Sequence, residues 1–122
     1  MQTFSKNERL SSKIIIDELF EKGKSFNNFP FKIIWKELPT STNDTQVLFS
    51  VPKRLFKRAV DRNRVKRLMR EAYRKNKNTL YEKLNDKKIG LVFIYINKSI
   101  VDYKEIEEKI ILSLQRLNKE IS

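Results

Sequence analysis

Apolar residues follow two different spacings along the chain, and each spacing predicts its own kind of element. In residues 11–22, Ile16 and Phe20 lie four apart and share one face, with Ile15 and Leu19 on an adjacent one. This predicts a first helix, started by Ser11 or Ser12 and stopped at Gly23. Phe31–Lys36 (FKIIWK), opened by Pro30, and Gln46–Val51 (QVLFSV), closed by Pro52, are short, β-branched and aromatic. Both predict strands, with Val47, Phe49 and Val51 on one face and a polar loop over 37–45 between them. The continuous apolar run Ile89–Ile96 (IGLVFIYI) predicts a central strand.

Two longer helices complete the pattern. One is expected from Arg62 toward Leu84 with a break around Asn76–Asn78, and the other after Asp102, carrying Ile106, Ile110, Leu114, Leu117 and Ile121 at helical spacing. The order α-β-β-α-β-α points to an α+β sandwich, helices on a small sheet, and 122 residues suit a single domain over 1–122.

Composition changes this picture at one place. The formal net charge is +12, from 27 Lys and Arg against 15 Asp and Glu. Lys53–Lys77 alone holds twelve cations and two acids, Asp61 and Glu71, so this window carries +10 and the rest of the chain only +2. Asp61 is expected to cap the helix, with Val60 and Val65 as a hydrophobic staple. Val65, Leu68, Met69 and Ala72 form an apolar arc with Tyr73 at its edge. Arg62, Lys66, Arg70 and Arg74 recur every four residues on another side, with Arg67 near them. A solvated, salt-bridged face would intersperse acids four residues away; stacked like charges are mildly destabilising in isolation. A polyanion turns that repulsion into attraction through counterion release, and guanidinium forks match phosphate. Glu71 is expected to orient Arg67, Arg74 or Lys75.

The absences exclude several chemistries. With no Cys and no His, the chain has no disulfide, no thiolate or imidazole catalysis, and no structural zinc site. No stretch approaches the length of a membrane span, and the opening MQTFSKNERLSSK lacks the apolar run of a signal peptide. The expectation is a cytoplasmic protein acting on nucleic acid, not on a membrane. A ribosomal or general RNA-chaperone protein has the same electrostatics. A DNA reader that puts the basic helix in the major groove would mix Asn, Gln, Ser and Thr with its Arg, and that mixture is missing here.

The run Lys57–Arg74, KRAVDRNRVKRLMREAYR, with Arg62-Asn63-Arg64 at its core, resembles the signature of bacterial ribonuclease P proteins. Around it, Leu48–Val51 followed by Pro52-Lys53-Arg54, the segment Lys6–Leu10, the helix end LFEKGKSF and the late strand IGLVFIYI agree, so the resemblance covers nearly the whole chain. It implies a small sheet packed with helices and a left-handed βαβ crossover. It also implies a division of labour in removing the 5′ leader from precursor tRNA. A large RNA subunit carries out the magnesium-dependent hydrolysis, and the protein supplies no catalytic group, binds no metal itself and needs no obligate protein partner. Arg58, Arg62, Asn63, Arg64, Lys66, Arg67, Arg70 and Arg74 are the residues expected on the large RNA. A cleft lined by Ile16, Phe20, Ile34, Lys53 and Arg54 is expected to hold the single-stranded leader. Ile16 and Ile34 stand where the family often carries aromatics, so Trp35 or Phe31 is the candidate to compensate.

Overall fold

A computed structural model describes residues 8–39, 44–84 and 87–121. Its elements in chain order are α1 (Lys13–Lys22), β1 (Lys24–Asn28), β2 (Phe31–Leu38), β3 (Gln46–Ser50), α2 (Ala59–Asn76), α3 (Asn78–Leu84), β4 (Lys88–Tyr95) and α4 (Tyr103–Ile121). The four strands form one sheet in the order β1-β2-β4-β3. β2 runs antiparallel to both β1 and β4, while β3 lies parallel to β4 and is joined to it by α2 and α3.

The α+β class and the order of its main elements are as expected. β1 adds a strand that the apolar pattern does not reveal, because only Phe26 of KSFNN is buried. The long helix does break at Lys77, between α2 and α3. Glu37 and Leu38, expected in the loop, extend β2 by pairing with Ile89 and Lys88 of the long central strand. Thr40 to Asn43 of that expected loop, and Lys6 with Asn7, lie outside the described residues.

Strand alternation splits the apolar residues between two faces. One face presents Phe31, Ile33, Trp35, Val47, Phe49, Leu91, Phe93 and Tyr95 to α2, α3 and α4, and forms the main core. Aromatic packing fastens α2 there: Phe49 stacks on Phe93 at 5.7 Å, and the Tyr73 ring meets Phe93 edge-on at 6.0 Å. The other face carries a smaller cluster of Leu10, Leu19, Ile34 and Val92, covered by α1.

α1 crosses this second face transversely. Leu10, just before it, hydrogen-bonds from its N–H to the Val47 carbonyl on β3 (2.9 Å), and Gly23, just after it, lies against β2. Gly23 has extended backbone, not the left-handed geometry of many helix stops. A glycine is needed for space: a Cβ there would lie 2.8 Å from Ile34 Cγ2. Ser12 caps the helix by accepting from the Ile15 N–H, and Asp102 caps α4 by accepting from the Glu105 N–H.

Candidate nucleic-acid interface

The basic helix starts earlier than its charge pattern predicts. Arg58 occupies the N-cap position without a side-chain cap, and Asp61 sits inside the first turn, 3.5 Å from the Arg58 guanidinium. Asp61 is therefore not the cap; it complements the helix dipole and pairs with Arg58. Val60 is the second helical residue and 59% exposed, so it makes no staple with the buried Val65. The physical reason lies upstream. Leu55 and Phe56 pack on the main core, and Arg62 donates from Nη1 to the Phe56 and Lys57 carbonyls, 2.8 Å each. These bonds hold the preceding turn so that the helix begins at Ala59.

Once Val65, Met69, Ala72 and Tyr73 are docked, the outward direction of α2 is set. The expected row every four residues drifts about 40° per step around the helix. Arg62 and Lys66 therefore fall beside the buried stripe and are half-buried, while Arg67 and Arg70 point fully outward. Arg58, Asn63, Arg64, Lys66, Arg67 and Arg70 surround one shallow depression of about 710 Å³, with Val60 and Asp61 in its wall. Arg64, Lys66, Arg67 and Arg70 form no ion pair with any described residue.

The far end of α2 is different. Arg74 hydrogen-bonds Glu71 through Nε (3.1 Å) and Nη2, and that hydrogen bond holds the Glu71 carboxyl below the usual carboxylate range. Lys75 lies 3.9 Å from the same carboxylate, so Glu71 orients Arg74 and Lys75 and leaves Arg67 alone. Lys77 turns inward altogether. It donates to both carboxylate oxygens of Glu8 (2.8 and 2.7 Å), with both side chains more than nine-tenths buried. Tyr81 donates to Glu8 (2.6 Å) and is bonded in turn to Tyr73 (3.2 Å). Arg74 is thus paired within the helix, apart from the depression, which gathers six of the eight expected positions and leaves out Arg62 as well.

The expected cleft lies on the other side of the sheet. On α1, Glu18 receives a hydrogen bond from Lys36 Nζ (3.0 Å), which turns that flank toward the carboxyl end of β2. Ile16 and Phe20, on the opposite flank, therefore overhang the other end of the sheet. The row of residues there is Asn27, Lys32, Ile94 and Ser50, aligned across the four strands and not buried. Phe20 is 55% exposed, half-buried Ile16 stands beside it, and Lys53 and Arg54 are exposed just past the end of β3.

Two expectations for this cleft are corrected. Ile34 is only 6% exposed; it packs with Leu19 and Val92 under α1 as a core residue. Phe31 and Trp35 cannot compensate for missing aromatics, because alternation along β2 puts both in the main core on the opposite face. Lys32 and Ile94 are the cleft-floor residues missed by sequence reasoning. Counting in twos from Ile34 would have found Lys32.

Among the described residues, no three carboxylates converge to hold a metal ion, and no helix is long and apolar enough to cross a membrane.

Comparison with known proteins shows the family. The ribonuclease P family model matches residues 4–118. The ribonuclease P protein component of Porphyromonas gingivalis is 36% identical over 116 residues, spanning 93% of this chain and 85% of that one. The one from Clostridium novyi is 35% identical over 112 residues, spanning 91% and 94%. The solved RNase P protein from Thermotoga maritima superposes with a TM-score of 0.72 at 26% identity, covering 89% of this chain and 96% of that one. The chain belongs to the ribonuclease P protein family.

Proposed function

We propose that the chain assembles with the large RNA of ribonuclease P through the Arg58–Arg70 surface of α2, and that its α1–sheet cleft binds the single-stranded 5′ leader of precursor tRNA. The observation that carries this reading is the segregation of two unlike surfaces on opposite sides of one sheet. The first is a dense patch of guanidinium and ammonium groups with few internal partners, suited to the phosphates of a folded RNA. The second is a cleft with a polar floor, an exposed ring at Phe20 and cations at Lys32, Lys53 and Arg54, suited to a flexible strand whose bases can stack.

Hydrolysis belongs to the RNA in this reading. The chain has no His and no Cys, and its described carboxylates do not gather into a metal site. Asp61 and Glu71 are spoken for by Arg58, Arg74 and Lys75. Magnesium is then held by the RNA of the assembled enzyme, in a cytoplasmic particle that needs no further protein.

The test is three binding curves on the Phe20→Ala variant: holoenzyme with precursor tRNA, holoenzyme with mature tRNA, and protein with the large RNA. Loss of one stacking platform should weaken precursor binding by on the order of 1 kcal/mol or more and leave the other two unchanged. Equal losses in all three would mean that Phe20 supports the fold, and the two-surface reading would be abandoned.

A further inference from the structure

Five large apolar residues are well exposed among the described residues, and two of them are aromatic: Phe20 and Phe29. Phe20 belongs to the cleft rim. Phe29, 59% exposed in the turn between β1 and β2, belongs neither to the core nor to the basic surface of α2.

The sheet register relates the two. The open cleft floor is the row Asn27, Lys32, Ile94 and Ser50. Just past that floor, at the same end of the sheet, comes a last row: Phe29 and Pro30 in the turn between β1 and β2, Ile96 after β4, and Pro52 after β3. The Ile96 N–H donates to the Pro30 carbonyl (2.8 Å), which carries the ladder past the last regular pairs and fixes the turn that presents Phe29. This row lies roughly 7 Å beyond the cleft floor, from two residues at strand rise. Exposed cations flank it, with Lys53 and Arg54 after Pro52 and Lys98 in the loop after Ile96. None of the three forms an ion pair with a described residue.

We infer that Phe29, with Lys98 beside its row, is a second nucleobase-binding position, extending the leader track past the cleft and over the end of the sheet. The inference rests on the proposed leader cleft. An exposed ring at the same end of the sheet as these cations offers what an unpaired nucleotide needs: a π-face for the base, with charge further along for its phosphates. A stack on Phe20 uses the bases nearest α1, and a stack on Phe29 uses bases further along the same strand. Phe29 is therefore engaged only when the leader is long enough to reach it.

The experiment uses the assembled holoenzyme, made from the full chain and the large RNA, with precursor tRNAs carrying a graded series of leader lengths. Phe29→Ala should weaken binding of long-leader precursors about fivefold to tenfold, and the loss should vanish below a threshold length. Phe29→Trp should restore affinity, whereas Phe29→Leu, apolar but not flat, should not. Lys98→Ala should lower the salt slope for long leaders by about 0.7, the release for one contact on a single strand. If Phe29→Ala leaves long-leader affinity unchanged while Phe20→Ala weakens it, the second position is refuted and the cleft reading stands. If neither variant responds to the leader, the cleft reading itself falls. Equal weakening of mature and precursor tRNA by Phe29→Ala would also overturn the inference, because the ring would then be acting on the scaffold.

Discussion

The two halves of α2 carry nearly the same density of positive charge and spend it in opposite ways. From Arg58 to Arg70 the cations stand around an open depression, and Asp61 is the one acid among them. From Glu71 to Lys77 the cations are paired with the protein's own acids, in the partly exposed Glu71–Arg74 and Glu71–Lys75 pairs and the buried Lys77–Glu8 pair. Asn76 bonds Glu107 of α4, and Lys75 lies over the Tyr103 ring at 5.5 Å. The lesson is that a count of charges in a sequence window overstates the ligand footprint. The second half of the window anchors the helix, and the first half is the part that anchoring leaves available.

The strongest way to break this comparison is at Lys77. Lys77→Ala leaves the buried Glu8 carboxylate without its cation, which should lower unfolding free energy by about 3 kcal/mol. Denaturant titration measures it. RNA affinity, taken where the variant is still folded, should change little, and a large affinity loss with stability intact would show Lys77 to be a phosphate contact.

The opposite signature is expected in the first half. Combining Arg64→Ala with Arg67→Ala should leave the unfolding free energy within about 0.5 kcal/mol of the parent. It should also reduce the slope of log K against log salt for the large RNA by about 0.9 for each contact removed. An unchanged slope would move the footprint off this surface. Arg62 is a poor choice for this test, since its guanidinium bonds the Phe56 and Lys57 carbonyls and its removal mixes stability with binding.

A smaller effect sharpens the anchoring half at high pH. Burial pushes the Tyr81 hydroxyl far above its ordinary value, and the Tyr73 and Glu8 groups beside it act in the same direction. The unfolded chain ionises tyrosine near pH 10. The contribution is thus complete below that pH and is lost as pH rises above it toward the folded value. Denaturation midpoints followed through this range should fall less steeply for Tyr81→Phe than for the parent. Parallel curves would place the alkaline sensitivity elsewhere.

The smallest expected effect is at Glu71. Glu71→Gln frees Arg74 and Lys75 from their carboxylate, so affinity for the large RNA should rise slightly and its salt slope steepen. The carboxyl is held below its usual range chiefly by the Arg74 hydrogen bond. Its stabilising contribution is therefore present above the unfolded value and lost as pH falls through the folded one. A loss of RNA affinity at neutral pH would show that the Glu71–Arg74 pair presents Arg74 to RNA instead of withholding it.

Much of this fold is legible in the sequence because its apolar stripes are local. Ile106, Ile110, Leu114 and Leu117 announce α4, and the run from Ile89 to Ile96 announces β4. β1 is hidden because KSFNN owes its strand state to pairing with β2 and carries a single core residue, Phe26. The basic surface was legible in composition but blurred in detail. A four-residue repeat does not stay on one side of a helix with 3.6 residues per turn, so Arg62 and Lys66 drift inward. The inward use of Lys77 depends on Glu8, 69 positions away, which no local pattern reports. The cleft was legible at Phe20 and misleading at Ile34, whose burial depends on where α1 crosses the sheet.

The strand order has a consequence for when the protein becomes able to act. β4 lies between β2 and β3, yet it is the last strand to be made. Until the ribosome has released the chain through Tyr95, β3 has no neighbour in the sheet and α2 has no Phe93 ring to dock on. At roughly 5–20 residues per second, synthesis leaves the most basic part of the chain without its mount for a few seconds. The pairing of β3 with β4 spans the whole crossover, which makes it a slow, non-local step. A growing chain that stops short of β4 therefore carries the charge of this protein but not its oriented surface. On the proposed function, selective recognition of a folded RNA begins only when the sheet is closed from its middle.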